Sequence, residues 1–154
     1  MERIASFNVD HTRLLPGVYV SRVDGDIVTY DIRIKRPNTD DLISNSELHT
    51  FEHLFATALR NSDMKDYIIY FGPMGCQTGY YCLMKTPEGL NVMQYFKRML
   101  QSIIDDFDFM PGCSEYECGN YRNLDLELGK RKAQEYLDLF KDFDDLCEYP
   151  EKVD

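Results

Sequence analysis

Val18-Tyr19-Val20-Ser21-Arg22-Val23, then Asp24-Gly25-Asp26, then Ile27-Val28-Thr29-Tyr30-Asp31-Ile32-Arg33-Ile34 follow one another without a break. β-branched and aromatic residues dominate both outer runs, as they do on pleated, half-buried surfaces. The Asp-Gly step between them is a hairpin signal. Pro37-Asn38 closes the second run. A second pair follows: Tyr67-Ile68-Ile69-Tyr70-Phe71 and Tyr80-Tyr81-Cys82-Leu83-Met84, joined by Gly72-Pro73-Met74-Gly75-Cys76-Gln77-Thr78-Gly79, a stretch dense in turn formers. Two strand pairs with short connections predict an antiparallel sheet.

Helical periodicity fills the gaps. Leu48, Phe51, Phe55, Ala58 and Leu59 recur at three- and four-residue steps, which predicts a helix over about 46–60. Ser44 and Glu47 fit a capping box at its start, and Asn61-Ser62 fit its stop. Thr86-Pro87-Glu88 reads as the opening of a second helix with Pro87 in the first turn, and Val92, Tyr95, Phe96, Met99, Leu100 and Ile103 form its stripe. A loop over about 109–122 precedes a last helix over about 123–146, striped by Leu126, Lys130, Ala133, Tyr136, Leu137 and Phe140. The order ββ-α-ββ-α-α predicts an α+β fold, a single domain with an antiparallel sheet and its helices packed on one face.

Composition narrows the function. The 154 residues are 44% hydrophobic and 29% charged, ordinary for one globular domain. A net charge of −10 and the absence of a basic stripe argue against nucleic acid. No apolar run approaches the roughly 20 residues of a membrane helix. Met1-Glu2-Arg3-Ile4-Ala5-Ser6 has no signal-peptide core, so the expected location is the cytoplasm. Five cysteines, an odd number, speak against a disulfide framework there.

The chemistry begins at His49-Thr50-Phe51-Glu52-His53. On a helix, two imidazoles four residues apart stand one above the other and can reach one metal ion. Glu52 points to nearly the same side, where a carboxylate can move protons beside the metal. The pattern H-x-x-E-H is a zinc-site signature. The plainer alternative is two histidines packed against the core with a solvated glutamate. Catalytic zinc-type sites commonly take three protein ligands and leave one position open. A third ligand here can be a cysteine, and spacing alone leaves Cys76, Cys113 and Cys118 open. Cys76 sits among small residues, an arrangement that leaves a thiol accessible.

Three motifs together resemble the S-ribosylhomocysteine lyase (LuxS) family: His49-Thr50-Phe51-Glu52-His53, Gly72-Pro73-Met74-Gly75-Cys76-Gln77-Thr78-Gly79 and Glu117-Cys118-Gly119-Asn120-Tyr121. Ser6-Phe7 with Asp10-His11, Asp31-Ile32-Arg33 with Pro37-Asn38, and Asp125-Leu126-Glu127 extend the match in order along most of the chain. The resemblance implies that His49, His53 and Cys118 bind one divalent metal per subunit, Fe(II) natively, with Zn(II) or Co(II) able to replace it. It implies that Glu52 and Cys76 are the acid/base pair, and that Arg33, Ser6 and His11 line the substrate pocket. It implies a homodimer whose sites draw on both chains, Ser6 and His11 coming from the neighbouring subunit. The implied reaction splits S-ribosylhomocysteine into homocysteine and 4,5-dihydroxy-2,3-pentanedione, the autoinducer-2 precursor. One departure stands out: Tyr70-Phe71-Gly72 replaces the Asp-Ile-Ser of other members, which touches the expected contacts to the homocysteine portion.

Two rival readings use the same residues. An inverse-motif zinc peptidase would need a longer chain and a distant glutamate ligand, and would leave the cysteine loop without a task. A non-catalytic metal-binding homologue would keep the fold alone. Cys82, Cys113 and Cys147 have no assigned role, Cys147 lying near the end of the last helix.

Overall fold

The computed structural model describes residues 1–151. Both hairpins form. β1 (Gly17–Asp24) pairs with β2 (Ile27–Arg33), and β3 (Ile68–Pro73) pairs with β4 (Gly79–Met84). β2 also pairs antiparallel with β4, so the sheet order is β1-β2-β4-β3. The pairing of Arg33 with Gly79 matters most for the site. A Cβ at residue 79 would lie 2.4 Å from the Ile32 carbonyl oxygen, so only glycine lets the loop before β4 close onto the end of β2.

Three helices cover one face of this sheet: α1 (Asn45–Arg60), α2 (Val92–Asp106) and α3 (Leu126–Leu139). The α1 stripe is buried as its periodicity predicts, with Leu54 added. Phe51 and Phe55 meet the sheet through Phe71 and Tyr80 at ring separations of 4.8–6.0 Å. Phe96 of α2 meets Tyr30 edge-on, and Tyr136 of α3 meets Phe51. The α+β architecture with helices on one face is therefore the one the sequence implies.

The opposite face carries a different set of residues. Tyr19, Asp31, Arg33 and Tyr81 project there by strand alternation. A 3-10 turn at Ala5–Asn8 and the C-terminal segment cover part of it. The Cys147 amide donates to the Val18 carbonyl at 2.7 Å, and Tyr149 stacks on Tyr19 at 4.7 Å.

Three local expectations are corrected. Pro87 does not open α2: residues 87–90 form a turn with Gly89 at φ +81, and Asn91 caps the helix by accepting from the Gln94 amide. The last helix starts and ends inside its predicted range of 123–146. Asp125 caps it through the Leu128 amide, and after Phe140 the chain turns back toward β1, so Cys147 lies beside that strand and not in a helix. The buried Phe140 and the partly buried Phe143 and Leu146 keep a three-residue spacing, which mimics a helix where the backbone has already turned. Only half of the capping box forms. Ser44 accepts from the Glu47 amide, but the Glu47 carboxylate turns inward to the Tyr136 hydroxyl and to Lys132.

Candidate active site

His49 and His53 stand on the face of α1 that receives the loop between α2 and α3. The docking follows one helical stripe. Ser46 donates to the Asn123 carbonyl, His49 Nδ1 meets Asn123 Oδ1 at 2.6 Å, Thr50 Oγ1 accepts from the Asp125 amide, and His53 Nδ1 lies 3.0 Å from the Pro111 carbonyl. Positions 46, 49, 50 and 53 are neighbours on a helix surface. That docking carries Cys118 to His49, with Sγ 3.3 Å from Nε2. His49, His53 and Cys118 then offer ligand atoms all within 4.8 Å of one another. Of the cysteines that spacing left open, Cys118 is the one that joins the two histidines in a group that could hold a metal ion.

The donor chemistry fits a divalent metal. A carbonyl can only accept, so His53 carries its proton on Nδ1 and leaves Nε2 free. The Asn123 carboxamide oxygen does the same for His49. Both imidazoles are thus held in the tautomer that metal binding needs, by partners of the kind that orient ligating histidines. Glu52 is half-buried on the same side of α1, and its carboxylate forms no hydrogen bond or ion pair among the described residues.

The second group of candidates lies on the other face of the sheet. Cys76 is exposed in the β3–β4 loop. Met74, Gly75, Cys76, Arg33, Tyr81, Ser6 and His11 border one cavity of about 290 Å³. Ser6 and His11 therefore face Cys76 and Arg33 of their own chain. None of His49, Glu52, His53 and Cys118 borders that cavity. A roomier cavity of about 520 Å³ lies between α1 and α2, but no histidine or cysteine borders it.

Arg33 is 2% exposed, and so is Asp31, two residues earlier on the same face. Asp31 receives the guanidinium in a two-pronged bond, Nε at 3.1 Å and Nη2 at 2.7 Å. The Tyr149 hydroxyl donates to the same carboxylate at 2.7 Å. Burial alone would lower the Arg33 pKa. The hydrogen bonds and charge of Asp31 outweigh it, helped by Cys76 and Tyr81, and hold Arg33 above its ordinary value. The cation remains directed at the thiol, with Nη1 3.9 Å from Cys76 Sγ.

Residues 4–145 match the family model described as S-Ribosylhomocysteinase (LuxS). The chain belongs to this family. A protein named S-ribosylhomocysteine lyase from Borrelia garinii subsp. bavariensis is 39% identical over 157 residues, 97% of this chain and all of the relative. Proteins of the same name from Clostridium beijerinckii and Desulfotalea psychrophila are each 42% identical over 143 residues, 89% of this chain and 90% of each relative. Membership in the LuxS family removes the grounds for the peptidase reading.

Sequence reasoning passed over three residues that the structure places at these sites. Asp31 was legible as an acid two residues from Arg33 in a strand, hence on the same face. Thr78 and Asn123 carried no such signal: Thr78 meets Cys76 because Gln77 turns the chain between them, and Asn123 reaches His49 by a loop whose path the sequence does not give. Among the unassigned thiols, Cys82 is fully buried in β4, and burial pushes its pKa up to about 12. Cys113 is exposed, its sulfur 3.7 Å from the Tyr121 carbonyl and outside the ligand cluster.

Proposed function

We propose that this chain is a metal-dependent carbon–sulfur lyase that converts S-ribosylhomocysteine to homocysteine and 4,5-dihydroxy-2,3-pentanedione. The observation that carries this reading is the His49–His53–Cys118 cluster, built on a chain of the LuxS family that also presents an exposed thiol beside a buried arginine.

The chemistry follows from where the sulfur sits. It is bonded to C5 of the ribose, so it leaves by β-elimination only when C4 is acidified by a carbonyl at C3. The open-chain sugar begins with its carbonyl at C1, and two shifts carry it to C3. A divalent ion held by His49, His53 and Cys118 would supply Lewis-acid stabilisation of the negative charge that develops on the sugar oxygens. Cys76, as thiolate, takes the carbon-bound proton in each shift and returns it to the neighbouring carbon. Glu52 moves oxygen-bound protons and shares in removing the proton from C4. The C5–S bond then breaks, the sulfur leaves and is protonated as homocysteine, and the enol left at C4–C5 becomes the methyl ketone of the product. Arg33, Ser6 and His11 hold the substrate in the cavity. Fe(II) is the proposed native ion. The mixed His/Cys set also suits Zn(II) and Co(II).

The cavity beside Cys76 lacks the metal residues, and Ile4, Phe7 and Tyr70 expose apolar surface on its side of the molecule. Both observations support a homodimer in which Cys76, Arg33, Ser6 and His11 of one chain face Glu52 and the metal group of the other. Mixing the inactive variants Cys76→Ala and His53→Ala tests the division. Hybrid dimers regain one intact site if the two groups come from different chains, and none if they come from the same chain.

Release of free thiol from S-ribosylhomocysteine tests the activity. Cys76→Ala and Glu52→Ala should each abolish release while keeping fold and metal, and His53→Ala should lose the metal. Unchanged turnover in Cys76→Ala or Glu52→Ala removes this mechanism. A wild-type protein that carries the metal yet releases no thiol favours the non-catalytic homologue.

A further inference from the structure

The thiol of Cys76 faces titratable groups from three elements, Arg33 from β2, Tyr81 from β4 and His11 from the N-terminal segment, with Asp31 behind Arg33. A neutral group stands closer to the sulfur than the guanidinium does. Thr78 Oγ1 lies 3.1 Å from Cys76 Sγ and 2.7 Å from Arg33 Nη1, while Arg33 itself is 3.9 Å from the sulfur.

We propose that Thr78 is the positioning residue for Cys76: its hydroxyl oxygen is held by Arg33, and its proton turns to the sulfur whenever Cys76 is ionised. The proposal rests on the reading of Cys76 as the group that moves carbon-bound protons.

Hydrogen-bond direction carries the argument. A guanidinium only donates, so the bond from Arg33 ends on a lone pair of Thr78 Oγ1. The hydroxyl proton is repelled from that cation, and the sulfur is the hydrogen-bond partner on its other side. A thiolate accepts it in a charge-assisted hydrogen bond. When the sulfur is protonated, its S–H faces the second lone pair of the same oxygen, and the hydroxyl rotates away. One rotor thus serves both states of the thiol while no heavy atom moves, as a group that gains and loses a proton in two successive shifts requires.

The backbone fixes that rotor. Thr78 is 2% exposed, so water does not take its place. Its carbonyl accepts from the amides of Ile34 and Lys35, both at 3.0 Å. Gln77, between the two residues, has φ +61, and its side chain and carbonyl are tied to Ile43. The left-handed residue reverses the chain so that side chains 76 and 78 meet on one side. Cys76 stays open to the cavity while its hydroxyl partner is buried.

The test is alkylation of Cys76 by iodoacetamide in the full chain with its metal bound. The Cys76 peptide is followed by mass spectrometry, so that the other cysteines are counted apart. At pH 7, Thr78→Val is expected to label about tenfold more slowly than wild type, the ratio that one unit of change in ionisation produces. At about pH 10 the two rates should agree within about twofold. Thr78→Ser, which keeps the hydroxyl, should match wild type at both values. Equal rates at pH 7 overturn the proposal. Equal slowing at both pH values also overturns it, because it reports a change of access, not of ionisation. If the valine variant does not fold, Thr78→Ala is read in the same way. Labelling needs no substrate, so a protein without lyase activity can still satisfy this test, and an active lyase can still fail it.

Discussion

Asn123 Oδ1 accepts the Nδ1 proton of His49 at 2.6 Å, so the imidazole nitrogen facing Cys118 is the one with a free lone pair. The carbonyl of the same residue accepts from Ser46, one turn earlier on α1. One loop residue therefore fixes both the helix and the ring. Asn123→Leu should weaken divalent metal binding by about 10- to 100-fold, the range seen when such outer partners are lost. Asn123→Asp keeps the acceptor and should stay close to wild type. Competition with a chromophoric chelator reads both. Wild-type affinity in the leucine variant would show that the loop alone orients the ring.

Gly112 presents the same dependence through sterics. Its φ is +67, and a Cβ there would lie 2.8 Å from His53 Nδ1. Gly112→Ala adds backbone strain of about 1–2 kcal/mol and pushes on the ligand ring. The expected result is a protein that still folds, with melting lowered by a few degrees and metal affinity reduced by more than that strain alone explains. Unchanged chelator competition would mean the loop moves aside freely.

The two hairpins and the helical face followed from periodicity, because each hairpin and each apolar stripe is local in sequence; the strand order did not, because it rests on the long-range pairing of β2 with β4. The His49–His53–Cys118 cluster was half legible. His49 and His53 share one helix, whereas Cys118 arrives by a loop whose path depends on contacts at Ser46, His49, Thr50 and His53. Helix ends were read least well. Pro87 signals a first turn, but Gly89 stops it, and the spacing of Phe140, Phe143 and Leu146 continues a pattern after the backbone has left it. The Glu47 carboxylate left its capping box because a buried tyrosine and a lysine offered it a better-satisfied place.

Asp31 holds a cation that has almost no access to water. Asp31→Asn leaves the Arg33 charge buried without its counter-charge, a loss of about 3–5 kcal/mol. In a domain of this length that corresponds to a fall in melting temperature of roughly 10 °C. Tyr149→Phe removes one hydrogen bond to the same carboxylate and should cost about 1 kcal/mol or somewhat more. Calorimetric scans separate the two, and equal effects would contradict the assignment of Asp31 as the main partner.

Alkaline stability reports the buried thiol. Burial pushes the Cys82 pKa up to about 12, so the folded chain keeps a proton that the unfolded chain releases. Its contribution is complete below the unfolded thiol value of about 8.5 and is lost as pH rises toward 12, at up to about 1.4 kcal/mol per pH unit. Tyr19, raised to about 12 mainly by burial, adds to the loss above the ordinary tyrosine value of about 10. Urea unfolding at pH 8, 9 and 10 should show stability falling with pH, and Cys82→Ala should flatten the fall between pH 9 and 10 while lowering stability at pH 8. A slope unchanged by the substitution would place the titrating groups elsewhere.

Gly129 tests how closely α3 must approach α1. Elsewhere in a helix interior, glycine to alanine stabilises by about 1 kcal/mol. Here a Cβ would lie 2.2 Å from Leu54 Cδ1 and 2.7 Å from Thr50 Cγ2. The leucine methyl ends a flexible side chain and can swing aside. Thr50 cannot, because it is β-branched and its hydroxyl accepts from the Asp125 amide at the start of α3. Thr50 decides the sign, and Gly129→Ala should destabilise by about 1–3 kcal/mol. His49 and His53 flank Thr50 and Leu54 on α1, so the same shift should weaken the metal site. Denaturant midpoints and chelator competition should therefore move together. A stabilised variant with unchanged metal affinity would mean that the two helices have room to separate without disturbing the histidines.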